Sequence, residues 1–236
     1  MARREGWNMR SDIRKVKQYL QKRPRLKKLG LVFDKYHDFT MVNREQYIDN
    51  LILAERTLRL TGDVIECGVW RGGMIAGIAD VLGAEKNYFL FDSFEGLPPV
   101  KEIDGAAAKE WQANTESPYY YDNCSAEIAL ATRAMTMASV RFKCIKGWFE
   151  ETIPQFGETD SVSLLRLDGD WYDSTMVCLQ HLFPKVVQDG IVVIDDYHTW
   201  SGCSRAVHDY LASTQSPARI HQSPAGVAYL VKRNDD

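Results

Sequence analysis

The sequence predicts an α/β domain: a mostly parallel, seven-stranded sheet with helices on both faces and an antiparallel hairpin at one edge. Three observations carry this. Short apolar runs alternate with helical stretches from residue 64 onward. Four of those runs end at or beside an acidic residue. The last two are joined by the short turn Ser223-Pro224-Ala225-Gly226. With 236 residues, 45% hydrophobic and 26% charged, the chain has material for one sizeable core rather than two.

The elements follow in order. Residues 11–22 read as a short amphipathic helix ending near Pro24. Asn43 with Gln46 resembles a capping box, opening a helix that runs to about Leu60 and stops at Gly62. Val64–Cys67 is the first strand, and a helix from about Gly72 to Leu82 follows. Tyr88–Phe91 is the second strand, ending at Asp92, and Val140–Ile145 the third. Val162–Leu167 is the fourth, ending at Asp168, with a helix to about Leu182. Asp189-Gly190 predicts a turn into the fifth, Ile191–Ile194, which ends at Asp195. A helix from about Ser204 to Leu211 and strands near Arg219–His221 and Val227–Val231 complete the chain. Residues 93–123, with Pro98-Pro99, Gly105 and Tyr119-Tyr120-Tyr121, show no strand and read as a lid or a disordered insert.

Composition narrows the function classes. No run reaches the roughly 18 apolar residues of a membrane span, and residues 1–7 lack the apolar stretch of a secretory signal. The five cysteines are scattered, with no CxxC pair, which argues against a disulfide framework or cysteine-rich zinc site and for a reducing cytoplasm. Residues 1–38 form a basic arm, with 12 Lys/Arg against 4 Asp/Glu, preceding a domain at 39–236. The arm carries no nucleic-acid fold signature, so a solvated helix face or a subunit contact is the expectation, with no nucleic-acid partner.

The strand ends carry the chemistry, because open α/β sheets bind ligands beyond the carboxyl ends of their strands. If the fourth and fifth strands are neighbours, Asp168, Asp195 and Asp196 come together there and repel one another. A hard divalent cation such as Mg²⁺ would remove that conflict; capping of the following helices is the alternative. Asp170, two residues beyond Asp168, is either a general base for a hydroxyl or a solvent-facing loop acid. At the first strand end, Glu66-Cys67-Gly68-Val69-Trp70-Arg71-Gly72-Gly73 is not the dinucleotide GxGxxG, since Trp70 stands where the second glycine belongs. An acid without a phosphate cradle suits a ligand with an ammonium group and no pyrophosphate, such as S-adenosylmethionine. Asp92 is placed for ribose hydroxyls. His198, beside the aspartate pair, either assists the base or is an idle loop histidine.

Five blocks, in order, are similar to the macrocin O-methyltransferase family, the TylF type that methylates sugar hydroxyls. They are the Glu66–Gly73 turn, Phe91–Pro98, Lys146–Thr152, Leu165–Asp170 and Asp195-Asp196-Tyr197. The resemblance implies a Rossmann-like class I methyltransferase fold and a homodimer. It implies that Glu66, Gly68 and the turn Trp70, Arg71, Gly72 hold the methionine part of S-adenosylmethionine, with Asp92 and neighbouring Ser93 at the ribose. Trp148 and Phe149 would flank the adenine, and Met41, in Thr40-Met41-Val42, would close over the cofactor. Asp168, Asp195 and Asp196 would bind Mg²⁺, Asp170 would be the base, and the acceptor would be a small hydroxylated molecule, a glycoside. The rival is a metal-dependent nucleotide-sugar glycosyltransferase, because Asp168-Gly169-Asp170 is also a DxD sequence. A Rossmann oxidoreductase fits less well, since no Tyr-x-x-x-Lys pair is present.

Overall fold

The computed structural model describes residues 24–233; the helix expected at 11–22 lies outside them. Helix α1 occupies residues 24–36, followed by a 3-10 turn at His37–Phe39 and α2 at Arg44–Glu55. The Asn43 cap forms as expected: its side chain accepts from the Gln46 N–H at 3.0 Å and donates to the Gln46 side chain at 2.6 Å. From there β1 (Asp63–Cys67), α3 (Gly73–Leu82) and β2 (Asn87–Asp92) follow. Then come α4 (Ala106–Ala113), α5 (Ile128–Ala138), β3 (Arg141–Lys146) and α6 (Phe149–Thr152). The chain continues through β4 (Val162–Leu167), α7 (Tyr172–Leu182), β5 (Val186–Ile194) and α8 (Ser201–Ser213), and ends in β6 (His221–Gln222) and β7 (Ala228–Val231).

The sheet has seven strands in the order β3-β2-β1-β4-β5-β7-β6. The first five are parallel; β7 runs antiparallel to β5 and β6 antiparallel to β7. The order reverses between β1 and β4, which opens a crevice beyond their carboxyl ends. Alternate residues feed two cores, as a period of two requires. Val64, Tyr88, Leu90, Leu164 and Val193 pack under α1, α2, α3 and α5, whereas Ile65, Phe89, Phe91, Leu165, Val192 and Ile194 pack under α6, α7 and α8.

Several expectations shift. Asp189-Gly190 does not start β5 but lies inside it: Val162 pairs with Val186 while Leu164 pairs with Ile191, so the surplus residues of β5 bulge, with Asp189 in the left-handed region at φ 62°. Segment 93–123 contains α4 and is tied down rather than loose. Asp104, buried, accepts from the backbone N–H of Tyr172 (2.8 Å) and of Lys101 (2.7 Å), and Trp171 donates its indole N–H to the Pro98 carbonyl (3.0 Å). Helix α5 has no counterpart among the expected elements. The expected boundary at 38/39 falls beside α1, whose Leu29 and Tyr36 are buried in the same core as α2 and α3. The arm's charges are partly spent there: Arg25 pairs with Glu55, and Lys35 with Asp80 at 2.8 Å.

Candidate active site

Beyond the carboxyl ends of β1, β2, β4 and β5 lies a cleft of about 350 Å³. Its floor is acidic and its outer wall aromatic. Glu66, Asp92, Asp168, Asp170, Asp195 and Asp196 all line it, as do Met41, Gly68, Trp70, Ser93, Trp148 and Phe149. Of the residues expected to contact a cofactor, Arg71 and Gly72 do not reach the cleft surface. The Arg71 guanidinium lies over the Trp70 ring at 4.1 Å. Gly72, at φ 78°, lets the chain pass α5, where a Cβ would sit 2.9 Å from the Ala131 Cα. Both shape the turn from behind. His198 is also outside the lining; its ring meets the Tyr197 ring edge-on at 4.9 Å.

Gly68 is where the two central strand ends meet. At φ 85°, a Cβ there would stand 1.8 Å from the Asp168 carbonyl oxygen, so only glycine allows β1 and β4 to close up. Three other residues at these ends are held in the left-handed region without being glycine: Trp70 (φ 48°), Phe94 (φ 56°) and Asp170 (φ 57°). Such strain persists only where surrounding contacts enforce it, and it concentrates at functional sites.

The two acids of the β1/β2 side are already in the protein's own hydrogen bonds. Asp92 accepts three backbone N–H bonds, from Val69 and Trp70 at 2.8 Å each and from Phe94 at 2.6 Å, so it fastens the two loops together. Ser93 bridges its own turn, donating to the Gly96 carbonyl at 2.8 Å. Glu66 is 1% exposed and meets Arg166 at 2.6 Å through Oε1, while Oε2 is buried with no partner. Burial pushes the Glu66 carboxyl up to about 8, against the pull of Arg166.

Arg166 is a site residue that reading the sequence missed, as is Trp200, whose indole donates to Asp170. The Arg166 guanidinium, 1% exposed, spans the floor: Nη1 reaches Glu66 and, at 2.7 Å, Asp168; Nη2 reaches Asp195 at 2.5 Å; Nε donates to Asn50 at 3.3 Å. A signal existed. Val162–Leu167 is apolar except for Ser163 and Arg166, and a cation inside a strand covered on both faces must have buried anions as partners.

On the β4/β5 side the acids outnumber that single cation. Asp168, Asp195 and Asp196 each offer an oxygen, and these lie within 4.8 Å of one another. Asp196 accepts from the Asp170 N–H at 3.1 Å. Burial, and then the charge of its neighbours, drives Asp170 and Asp196 well above the usual carboxylate range, and burial pushes Asp195 up to about 6. Closely packed hard oxygen donors with excess negative charge fit a divalent cation such as Mg²⁺. The remaining wall is aromatic: Trp111 of α4, Trp200, Tyr119 and Tyr121 line the cleft, with the buried Trp171 behind.

The chain matches the Macrocin-O-methyltransferase (TylF) family over residues 12–229. It is 34% identical over 155 residues to demethyldecarbamoylnovobiocin O-methyltransferase of Streptomyces niveus, covering 64% of this chain and 58% of that protein. It is 35% identical over 170 residues to 8-demethyl-8-(2,3-dimethoxy-alpha-L-rhamnosyl)-tetracenomycin-C 4'-O-methyltransferase of Streptomyces olivaceus, covering 70% and 62%. The chain thus spans about three fifths of the length of these two curated relatives. Among solved structures, the O-methyltransferase NovP superposes with a TM-score of 0.70 at 28% identity over 83% of each chain. The calicheamicin methyltransferase CalS11, at 20% identity and a TM-score of 0.64 over the whole of both chains, shares the fold. With the sheet order, the paired acids and a match spanning nearly all its length, the chain belongs to the macrocin O-methyltransferase (TylF) family.

Proposed function

We propose that this chain is an S-adenosylmethionine-dependent O-methyltransferase that acts on a hydroxyl of a glycoside and uses Mg²⁺. The observation that carries the reading is the division of one cleft floor. At one end stands an unpartnered buried carboxylate oxygen, Glu66 Oε2, suited to an ammonium; at the other stand three converging aspartates beside a fourth carboxylate. A relative named for a rhamnosyl tetracenomycin supports the sugar acceptor. The family membership leaves the glycosyltransferase reading without support.

Glu66 and Gly68 hold the methionine end of the donor, Trp148 and Phe149 flank the adenine, and Met41 closes over it. Asp92 keeps the turn in shape through its backbone bonds and leaves at most its remaining lone pairs for a ribose. Asp168, Asp195 and Asp196 hold the metal. When bound, the donor supplies an electrophilic methyl group and the metal supplies Lewis acidity toward a hydroxyl. Asp170 takes the acceptor proton on Oδ2, since Oδ1 is engaged by Trp200. Burial and the neighbouring carboxylates raise its affinity for a proton, in the direction a general base needs. Trp111 and Tyr119 exclude water and pack on the acceptor, with segment 93–123 acting as a lid. The enzyme works in the cytoplasm as a homodimer. Five free cysteines suit a reducing compartment, and among the described residues no helix is long and apolar enough to cross a membrane.

Labelled-methyl transfer to rhamnosyl glycosides, with and without Mg²⁺, tests the reading directly. Asp170→Asn should leave S-adenosylhomocysteine affinity unchanged and lower turnover by about 10²–10⁴-fold, the range of general-base catalysis. Undiminished turnover would remove Asp170 as the base.

A further inference from the structure

Asp170 sits on a left-handed backbone at φ 57° in the cleft floor it shares with Asp168, Asp195 and Asp196, where like charge tends to turn its side chain away. One contact opposes that. The Trp200 indole N–H donates to Asp170 Oδ1 at 2.7 Å. The indole cannot turn freely. Its ring meets Trp171 at 5.3 Å and Trp111 at 6.0 Å, both edge-on, and Trp111 meets Trp171 at 6.1 Å, so three indoles brace one another. Trp171 is itself pinned by its bond to the Pro98 carbonyl, and the Trp200 backbone N–H donates to the Asp196 carbonyl at 2.9 Å. The N–H is therefore aimed by elements from three parts of the chain.

We propose that Trp200 is a positioning residue for Asp170: its braced indole N–H holds Oδ1 so that Oδ2 faces the acceptor hydroxyl. The inference rests on the reading of Asp170 as the base. Pinning one oxygen of a carboxylate leaves the other with a fixed direction, and proton transfer depends on hydrogen-bond geometry in the reacting complex. Trp111, which donates instead to the Tyr119 carbonyl at 3.1 Å, braces the ring but does not touch Asp170 through its N–H.

The test separates kcat from KM at saturating S-adenosylmethionine and Mg²⁺. Trp200→Phe keeps an aromatic ring and removes the donor. It should lower kcat about 10–100-fold, the scale of losing an orienting hydrogen bond, while acceptor KM and S-adenosylhomocysteine Kd stay within about threefold. Trp200→His, which retains a ring N–H, should recover part of the loss. In an Asp170→Asn background, Trp200→Phe should cost nothing further, because the residue acts through Asp170. Unchanged kcat in Trp200→Phe, a rise in KM alone, or an equal loss in the Asp170→Asn background would overturn the inference. If Trp200→Phe loses S-adenosylhomocysteine binding, Trp200→His decides: donor binding retained with no turnover above that of Asp170→Asn overturns it. A wild-type chain that binds S-adenosylhomocysteine but methylates no hydroxyl acceptor fails the proposed function instead, so the two failures are distinguishable.

Discussion

The two halves of the cleft floor hold two carboxylates and four, and treat them differently. On the β1/β2 side each acid has a protein partner: Asp92 is held by three backbone N–H groups and Glu66 by Arg166. On the β4/β5 side the guanidinium reaches only Asp168 and Asp195, Asp170 has one indole N–H and Asp196 one backbone N–H, and the four carboxylates otherwise face one another. The first half is a receptacle whose shape is set by the protein's own bonds. The second is short of positive charge, which on the proposed reading a cation supplies. The same residue type thus does structural work in one half and leaves a demand for a ligand in the other, and the difference lies in the supply of N–H donors.

Arg166 joins the halves, so removing it should have the largest effect. Arg166→Met strands buried Glu66 and frees Asp168 and Asp195 to repel, and should lower stability by about 3–5 kcal/mol, the cost of breaking a buried ion pair. Chemical denaturation measures it. Affinities for both S-adenosylhomocysteine and Mg²⁺ should fall; a loss confined to one of them would mean that the guanidinium serves only that half.

Asp196 belongs to one half alone: its carboxylate accepts from the Asp170 N–H and faces Asp168. Asp196→Ala should reduce Mg²⁺-dependent turnover by about 10²–10³-fold, the scale of losing a preorganised electrostatic stabiliser, and leave calorimetric S-adenosylhomocysteine binding unchanged. Equal damage to donor binding would break the division. Chelation by EDTA should reproduce the variant in the wild type, with Mg²⁺ restoring activity.

The division was only half legible in the sequence. The strand ends, the acids at them and the capped helix at Asn43 were readable, because apolar alternation and capping chemistry are local. That Asp168, Asp195 and Asp196 converge required only that β4 and β5 be neighbours. The roles inside the cleft were less legible. Asp92 reads as a ribose-binding acid, but its bonds from the Val69, Trp70 and Phe94 N–H groups are not readable, because those belong to loops whose left-handed turns no local pattern announces. Trp200 stands 30 residues after its partner Asp170, so its function exists only in the tertiary structure. Arg166 was visible as an oddity in an apolar strand, yet its three acidic partners come from three strand ends. Helix α5, rich in Ala, Thr and Met, carries too weak a polar–apolar contrast to stand out.

A smaller effect is expected at Asp92. Asp92→Asn keeps one acceptor oxygen and puts an N–H₂ against the backbone donors that Oδ2 now accepts. The loss should be about 1.5–3 kcal/mol of stability, the worth of hydrogen bonds to a charged group. Donor affinity should weaken in step as the turn loosens, and metal affinity should hold. A variant as stable as the wild type would show that the loops keep their shape without the carboxylate.

The most diagnostic effect is the pH dependence carried by Glu66. Its folded-state value is raised from 4.5 to about 8. A carboxyl with a raised folded pKa binds more protons in the folded state between those two values. The stability it contributes is therefore fully present below the unfolded value and is lost as pH rises through the window. Glu66→Gln mimics the protonated form and has no such loss. The wild type should accordingly lose stability relative to Glu66→Gln from about pH 4.5 to 8 and run parallel to it outside that range, as thermal melts across pH would record. Saturating S-adenosylhomocysteine should flatten the slope, because an ammonium beside Oε2 favours the carboxylate. If the wild type instead gains on the variant as pH rises, the attraction of Arg166 outweighs burial. Glu66 would then be a fully compensated anion, and the donor half would rest on charge pairing alone rather than on a carboxylate awaiting a cationic ligand.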